Sequence, residues 1–210
     1  MTADQSALMA LIRTIGVDDA AALRLLAASP ALASARVAQG ATRQAAKDYY
    51  LDPIGHYVYA GDTALHVAAA AYRCEVARKL IALGADLRAR NRRGAEPLHY
   101  AADGAPGAPT WNPDAQAEII AILIAADADP NAADNSGVMP LHRAVRTRCA
   151  AAVKALLAGG ADANAKNKSG SSPMQLATRN TGRGGSGAPE AKAQQIEIVR
   201  LLEEGKPIAV

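Results

Sequence analysis

Phenylalanine is absent from this sequence and tryptophan occurs once, so a core built on large aromatic rings is excluded. Cysteine is almost missing too. Cys74 and Cys149 are too few for a disulfide framework and lack metal-ligand spacing, which fits a reducing, cytoplasmic setting. No apolar run approaches the roughly 20 residues that span a bilayer, so no membrane partner is expected. Met1 to Ile15 lacks a basic stretch followed by an unbroken apolar one, so no secretory leader is expected either. An excess of one charge is also missing. The formal charge is +3 and the pI about 8.9, just under the range of dedicated nucleic-acid domains, which argues against a nucleic-acid partner.

What is present is small and aliphatic. Half of the 210 residues are apolar, mostly alanine and leucine, which suits helices packed at close interaxial distance. Four segments align without adjustment: Gly61-Asp62-Thr63-Ala64-Leu65-His66, Gly94-Ala95-Glu96-Pro97-Leu98-His99, Gly137-Val138-Met139-Pro140-Leu141-His142 and Gly170-Ser171-Ser172-Pro173-Met174-Gln175. Their glycines lie 33, 43 and 33 residues apart. A second series, Gly84-Ala85-Asp86, Asp127-Ala128-Asp129 and Gly160-Ala161-Asp162, marks the far end of each unit.

The phased copies resemble the ankyrin repeat, with its 33-residue period and Thr-Pro-Leu-His-x-Ala signature. Ala64, Glu96, Met139, Ser172 and Gln175 depart from that signature. Local chemistry agrees with it. Leu65, Ala68, Ala69 and Tyr72 have helical spacing, as do Val76, Leu80 and Ile81, and Gly84 and Gly160 suit a left-handed helix end. One helix pair cannot bury its own apolar face, so the units must stack. The expected fold is all-α: an ankyrin-repeat solenoid of five stacked helix pairs with hairpin-like fingers and three inserted loops. The chain divides as one domain into an N-terminal capping pair (1–35), a Tyr-rich inserted finger (36–61), a repeat (62–93), a repeat with an inserted loop (94–136, loop 104–113), a repeat (137–169) and a C-terminal repeat with a Gly-rich loop (170–210, loop 181–189). A core running through Met9, Leu25, Leu65, Leu80, Leu98, Leu123, Leu141, Leu156, Leu176 and Leu201 is predicted.

The inserted finger holds Tyr49, Tyr50, Tyr57 and Tyr59, and reads as an elongated hairpin around Asp52-Pro53-Ile54-Gly55. It either covers the apolar side of the next unit or presents tyrosines to a partner. Arg88, Arg90, Arg92 and Arg93 fall on one finger, as a solvated tip or a contact for an acidic partner surface. The resemblance implies a non-enzymatic protein-binding scaffold. Fingers and first helices make its concave surface, where the residues themselves point to Tyr57, Tyr59, Arg90, Arg92, Arg93 and Tyr100 as the contacts. A second candidate site lies at the opposite edge, where Trp111 and Asn112 on one loop and Arg183 on the other would flank a groove floored by Arg146, Thr147, Arg148 and Cys149. That edge carries the alternative reading, a small-anion or metabolite-binding protein.

No cofactor is called for. The run Gly182-x-Gly184-x-x-Gly187 follows a helix instead of a strand, so it does not read as a dinucleotide loop. His66, His99 and His142 recur one or two stacking steps apart, too far to share one metal. The resemblance gives them a hydrogen-bonding role within and between turns. No catalytic constellation emerges, because neither cysteine has an identifiable activating base and no serine can be matched to a histidine.

Overall fold

A computed structural model describes residues 3–108, 110–179 and 189–204; Arg183 and nearly all of the Gly-rich loop fall outside them. Ten α-helices are found among the described residues, in five consecutive pairs: α1 (Ala3–Ile15) with α2 (Asp19–Ala28), α3 (Ala64–Ala70) with α4 (Cys74–Ala82), α5 (Pro97–Ala101) with α6 (Pro113–Ala125), α7 (Pro140–Arg146) with α8 (Ala150–Ala158), and α9 (Pro173–Thr178) with α10 (Pro189–Glu204). First helices pack on first helices from α1 through α9, and second helices on second from α2 through α10. The expected all-α stack of five pairs is therefore the observed one.

Local chemistry sets where the helices begin and end. Pro97, Pro140 and Pro173 occupy the first turns of α5, α7 and α9, where no backbone N–H is missed. Asp18 caps α2 by accepting from the Ala21 N–H at 2.9 Å, and Asn112 caps α6. The second helices α4, α6 and α8 are followed by left-handed residues Gly84, Asp127 and Gly160, at φ of 83°, 78° and 89°. Aspartate at the middle position shows that the repeat demands the backbone geometry more than the glycine itself.

Leu65, Leu80, Leu98, Leu123, Leu141 and Leu156 are all buried, and Ala68, Ala69, Ala101 and Ala144 let the first helices approach. Two members of the predicted core stand elsewhere. Leu25 is 37% exposed while its neighbour Leu26 is fully buried, a one-residue shift of the inward stripe on α2. Leu176 is only half-buried.

Two polar ladders run along the stack. Each signature histidine accepts from a backbone N–H of its own turn through Nδ1, and its Nε2–H donates to a carbonyl of the next unit. The contacts are Thr63 N–H to His66 and His66 to Ala95 O, Glu96 N–H to His99 and His99 to Val138 O, and Met139 N–H to His142 and His142 to Ser171 O, all between 3.0 and 3.2 Å. An N–H only donates and a carbonyl only accepts, so the network assigns the tautomer. The fingers join in the same way: the Arg92, Asn135 and Lys168 N–H groups donate to the Ala60, Arg93 and Ser136 carbonyls.

The 36–61 insertion departs from expectation. Its hairpin is short, pairing β1 (Tyr50–Leu51) with β2 (His56–Tyr57) in the register Tyr50 to Tyr57 and Leu51 to His56. Gly55, at φ 61°, closes the turn. Instead of projecting, the segment lies back on the stack. Arg13 of α1 donates to the Asp48 carbonyl, the Ala38 N–H to Gln5 Oε1 of α1, and the His56 ring meets Tyr100 of α5 edge-on at 4.5 Å.

Candidate binding surface and cavity

Two features result from that path. The first is an exposed aromatic and arginine cluster on the outside of the hairpin. Tyr50 and Tyr57 pack with ring centroids 4.7 Å apart, and Tyr57 and Tyr59 with 6.5 Å. Tyr57 is 39% and Tyr50 37% exposed, a large fraction for aromatic side chains. The Arg93 guanidinium lies 4.3 Å from the centre of the Tyr59 ring and that of Arg92 5.2 Å away. Arg92 also donates to the Ala41 carbonyl, which ties the next finger to the insertion. Arg90 donates to the Gly94 and Ala133 carbonyls at 3.1 and 2.6 Å, and Arg88 approaches Asp127 at 3.4 Å. The arginine run is thus partly a set of staples between fingers and partly an exposed, ring-stacked surface.

Tyr100 does not belong to that surface. It is 2% exposed, and its hydroxyl donates to the Asp62 carboxylate at 2.9 Å. Asp62, fully buried, also accepts from Asn91 Nδ2 and the Tyr59 N–H. Burial first, and then the Asp62 charge, raise the Tyr100 hydroxyl well above the ordinary tyrosine pKa. Tyr100 is a buried hub because the hairpin covers it.

The second feature is a cavity of about 470 Å³ where the hairpin turn meets the 104–112 loop. Pro53, Ile54 and His56 form one wall, Ala70 to Arg73 and Tyr100 the floor, and Asp103, Gly104, Ala105 and Thr110 to Asn112 the other wall. The two insertions were expected at opposite edges of the solenoid. The hairpin crosses the first-helix face and brings them together. Arg143 of α7 holds Asp103 at 2.9 Å and Asp134 at 3.3 Å. His56 loses basicity chiefly through burial, which Asp103 and Asp62 only partly offset, and its buried Nε2 has no hydrogen-bond partner among the described residues.

The predicted groove at the second-site edge lacks the open floor expected of it. Arg148 is 3% exposed and Cys149 fully buried, so neither forms an open floor. The 104–112 loop folds down: a Cβ at Gly104 would lie 2.6 Å from Cys149 Sγ, and Trp111 Nε1 donates to Gln116 Oε1. Arg146 and Trp111 are half-buried and Asn112 exposed. Arg183 lies outside the described residues. The aromatic surface could be anticipated from the tyrosine count of the insertion. His56 and Asp103 had no signal beyond their residue types, because only the tertiary path brings them together.

Both cysteines are free, and burial pushes each thiol up to about 11. Among the described residues no group of three or more His, Cys, Asp or Glu side chains is placed to hold a metal ion, and no helix is long and apolar enough to cross a membrane.

Comparison with known proteins agrees with this architecture. The family described as "Ankyrin repeat" matches residues 60–92, and "Ankyrin repeats (many copies)" matches residues 123–177. No curated protein matches the chain. The matched segments coincide with α3–α4 and with the stretch from α6 to α9, and with five helix pairs stacked first on first and second on second, the chain is an ankyrin-repeat protein.

Proposed function

We propose that this protein is a non-enzymatic scaffold that binds an acidic segment of another protein on the Tyr50, Tyr57, Tyr59, Arg92 and Arg93 surface. Ankyrin repeats generally mediate protein–protein interaction and are typically non-enzymatic. The observation that carries the finer reading is the stack of Arg93 on Tyr59 at 4.3 Å beside the exposed Tyr57 ring. Rigid aromatic area lowers the entropy lost on binding. A guanidinium already held against a ring is positioned for bidentate pairing with a carboxylate. The reading drops Tyr100 from the expected contacts and keeps Arg90 as a flank, since two carbonyls already hold its guanidinium. A reducing, cytoplasmic setting suits the two free thiols.

A displayed random-peptide library tests this directly. The wild type should enrich acidic peptides, with affinity falling as salt rises. The double variant Tyr57→Ala, Arg93→Ala should lose the enrichment while keeping its helical circular dichroism and melting temperature. Equal enrichment by a folded double variant refutes the surface.

A further inference from the structure

The cavity between the hairpin and the 104–112 loop has a chemistry of its own. Its volume of about 470 Å³ falls within the usual range of small-ligand sites, ~300–1,000 Å³. The aromatic and charged donors on its walls are already engaged. The Tyr72 hydroxyl donates to the Asp103 carbonyl at 2.6 Å, Trp111 Nε1 to Gln116 Oε1, and the Tyr100 hydroxyl to Asp62. Arg73 donates to the Ile15 and Gly16 carbonyls and faces Asp19 at 3.4 Å. Beside the neutral Thr110 hydroxyl and Asn112 amide, what is left over is acceptor capacity. Asp103 gives one carboxylate oxygen to Arg143 and keeps the other. The buried His56 Nε2 has no partner among the described residues, and as a neutral imidazole it accepts when the proton sits on Nδ1.

The charge around the cavity has the same sense. Asp103 and Asp134 share the single Arg143, Arg73 is matched by Asp19, and the buried Asp62 meets only neutral donors at hydrogen-bond distance. Inside, the four carboxylates Asp19, Asp62, Asp103 and Asp134 meet two guanidiniums, Arg73 and Arg143, while Arg92 and Arg93 lie outside, stacked on Tyr59. Pro53, Ile54, Ala70, Ala71 and the Trp111 ring supply apolar walls. We propose that this cavity binds an organic cation, a guanidinium or ammonium group on a short aliphatic body, with Asp103 as its counter-ion and Trp111 as its ring contact. The small-anion reading of the inserted edge is reversed in sign. The proposal does not rest on the Tyr–Arg surface, and the two fail separately.

Trp111 is the sole tryptophan, so fluorescence excited selectively at tryptophan reports on this site alone. The full chain is titrated with N-acetylarginine amide, with N-acetylcitrulline amide as the uncharged isostere and with inorganic phosphate. A capped Gly-Arg-Gly peptide distinguishes a basic side chain of a partner from a free small cation. The expected result is a saturable, salt-sensitive change with the arginine derivative, at least about tenfold tighter than with citrulline. Binding of the peptide as well identifies a protein-borne side chain as a source, and binding of the amide alone identifies a free cation. Asp103→Asn should weaken binding by about tenfold or more. Because that variant also loosens Arg143, Ala105→Phe, at an exposed wall position, should block the cavity without touching the ion pairs. Tyr57→Ala should leave the titration unchanged. Equal response to citrulline, preference for phosphate, no saturable response, or full binding by both Asp103→Asn and Ala105→Phe overturns the proposal.

Discussion

Acid should weaken this fold through its histidine ladder, and the effect can be worked out for His99. In the folded chain its Nδ1 accepts the Glu96 N–H at 3.1 Å and its Nε2–H donates to the Val138 carbonyl at 3.0 Å. A proton added to Nδ1 would face that N–H, in a buried setting close to Arg143. Burial first, then Arg143, lower its pKa from 6.5 to about 4. The unfolded chain takes up the proton near 6.5 and the folded chain only near 4, so between those values the unfolded state binds more protons. Stability is therefore fully present above about pH 6.5 and falls as the pH drops through that window. At about 1.4 kcal/mol per unit, the full interval is worth about 3 kcal/mol, and about 2 kcal/mol of it is gone by pH 5. His66 and His142 are shifted in the same direction, mainly by burial, and add to the loss. The assay is urea unfolding at pH 7.5, 6 and 5, for the wild type and for His99→Gln. Glutamine is the residue the last unit uses at this place, where Gln175 Oε1 accepts the Ser172 N–H at 2.9 Å without a titratable proton. The variant should remain folded and lose about 2 kcal/mol less than the wild type between pH 7.5 and 5. Identical pH dependence in the two proteins would refute the assigned tautomer and the reasoning built on it.

Three further outcomes are expected. Leu98→Ala, at the centre of α5, should lower unfolding free energy by about 2–5 kcal/mol in denaturant titration, since the cavity left there cannot collapse readily. Tyr100→Phe should cost about 1–3 kcal/mol by the same measurement, because the buried Asp62 carboxylate loses a donor and has no access to water. At pH 8 both thiols should react slowly with an aromatic disulfide reagent, Cys149 more slowly than the half-buried Cys74. Both should react at once in denaturant, and a rapid stoichiometric burst from the native protein would contradict their burial.

The repeat was legible because its signals are local. Pro97, Pro140 and Pro173 announce helix starts, and Gly84 and Gly160 take the left-handed geometry their positions foretold. The histidines were legible as structural groups through the family resemblance. The course of the insertion was not legible, since a two-residue hairpin ladder says nothing about which way it leans. That direction depends on contacts such as Arg13 with Asp48 and His56 with Tyr100, 35 and 44 residues apart in the chain. Tyr100 was misplaced for that reason: its position on α5 would be open if the hairpin projected. Arg148 was misplaced because an arginine at an inter-helix turn reads as solvated, whereas this one is buried at φ 62°, where the second unit has Tyr72 at φ 55°. Among the described residues neither terminal nitrogen of the Arg148 guanidinium has a hydrogen-bond partner.

An ordinary repeat array is held together only by neighbours, so it frays from either end with similar ease. The hairpin breaks that symmetry here. By joining Arg13 of α1 through Asp48 and Tyr100 of α5 through His56, it fastens the first three pairs into one block with contacts that skip a unit. The fourth and fifth pairs have only their neighbours. Opening should therefore begin at the α9–α10 end and stop at α6, with amide exchange in α7 to α10 running ahead of exchange in α1 to α5. That order of exchange would mark a rigid N-terminal block with a two-unit tail that opens separately.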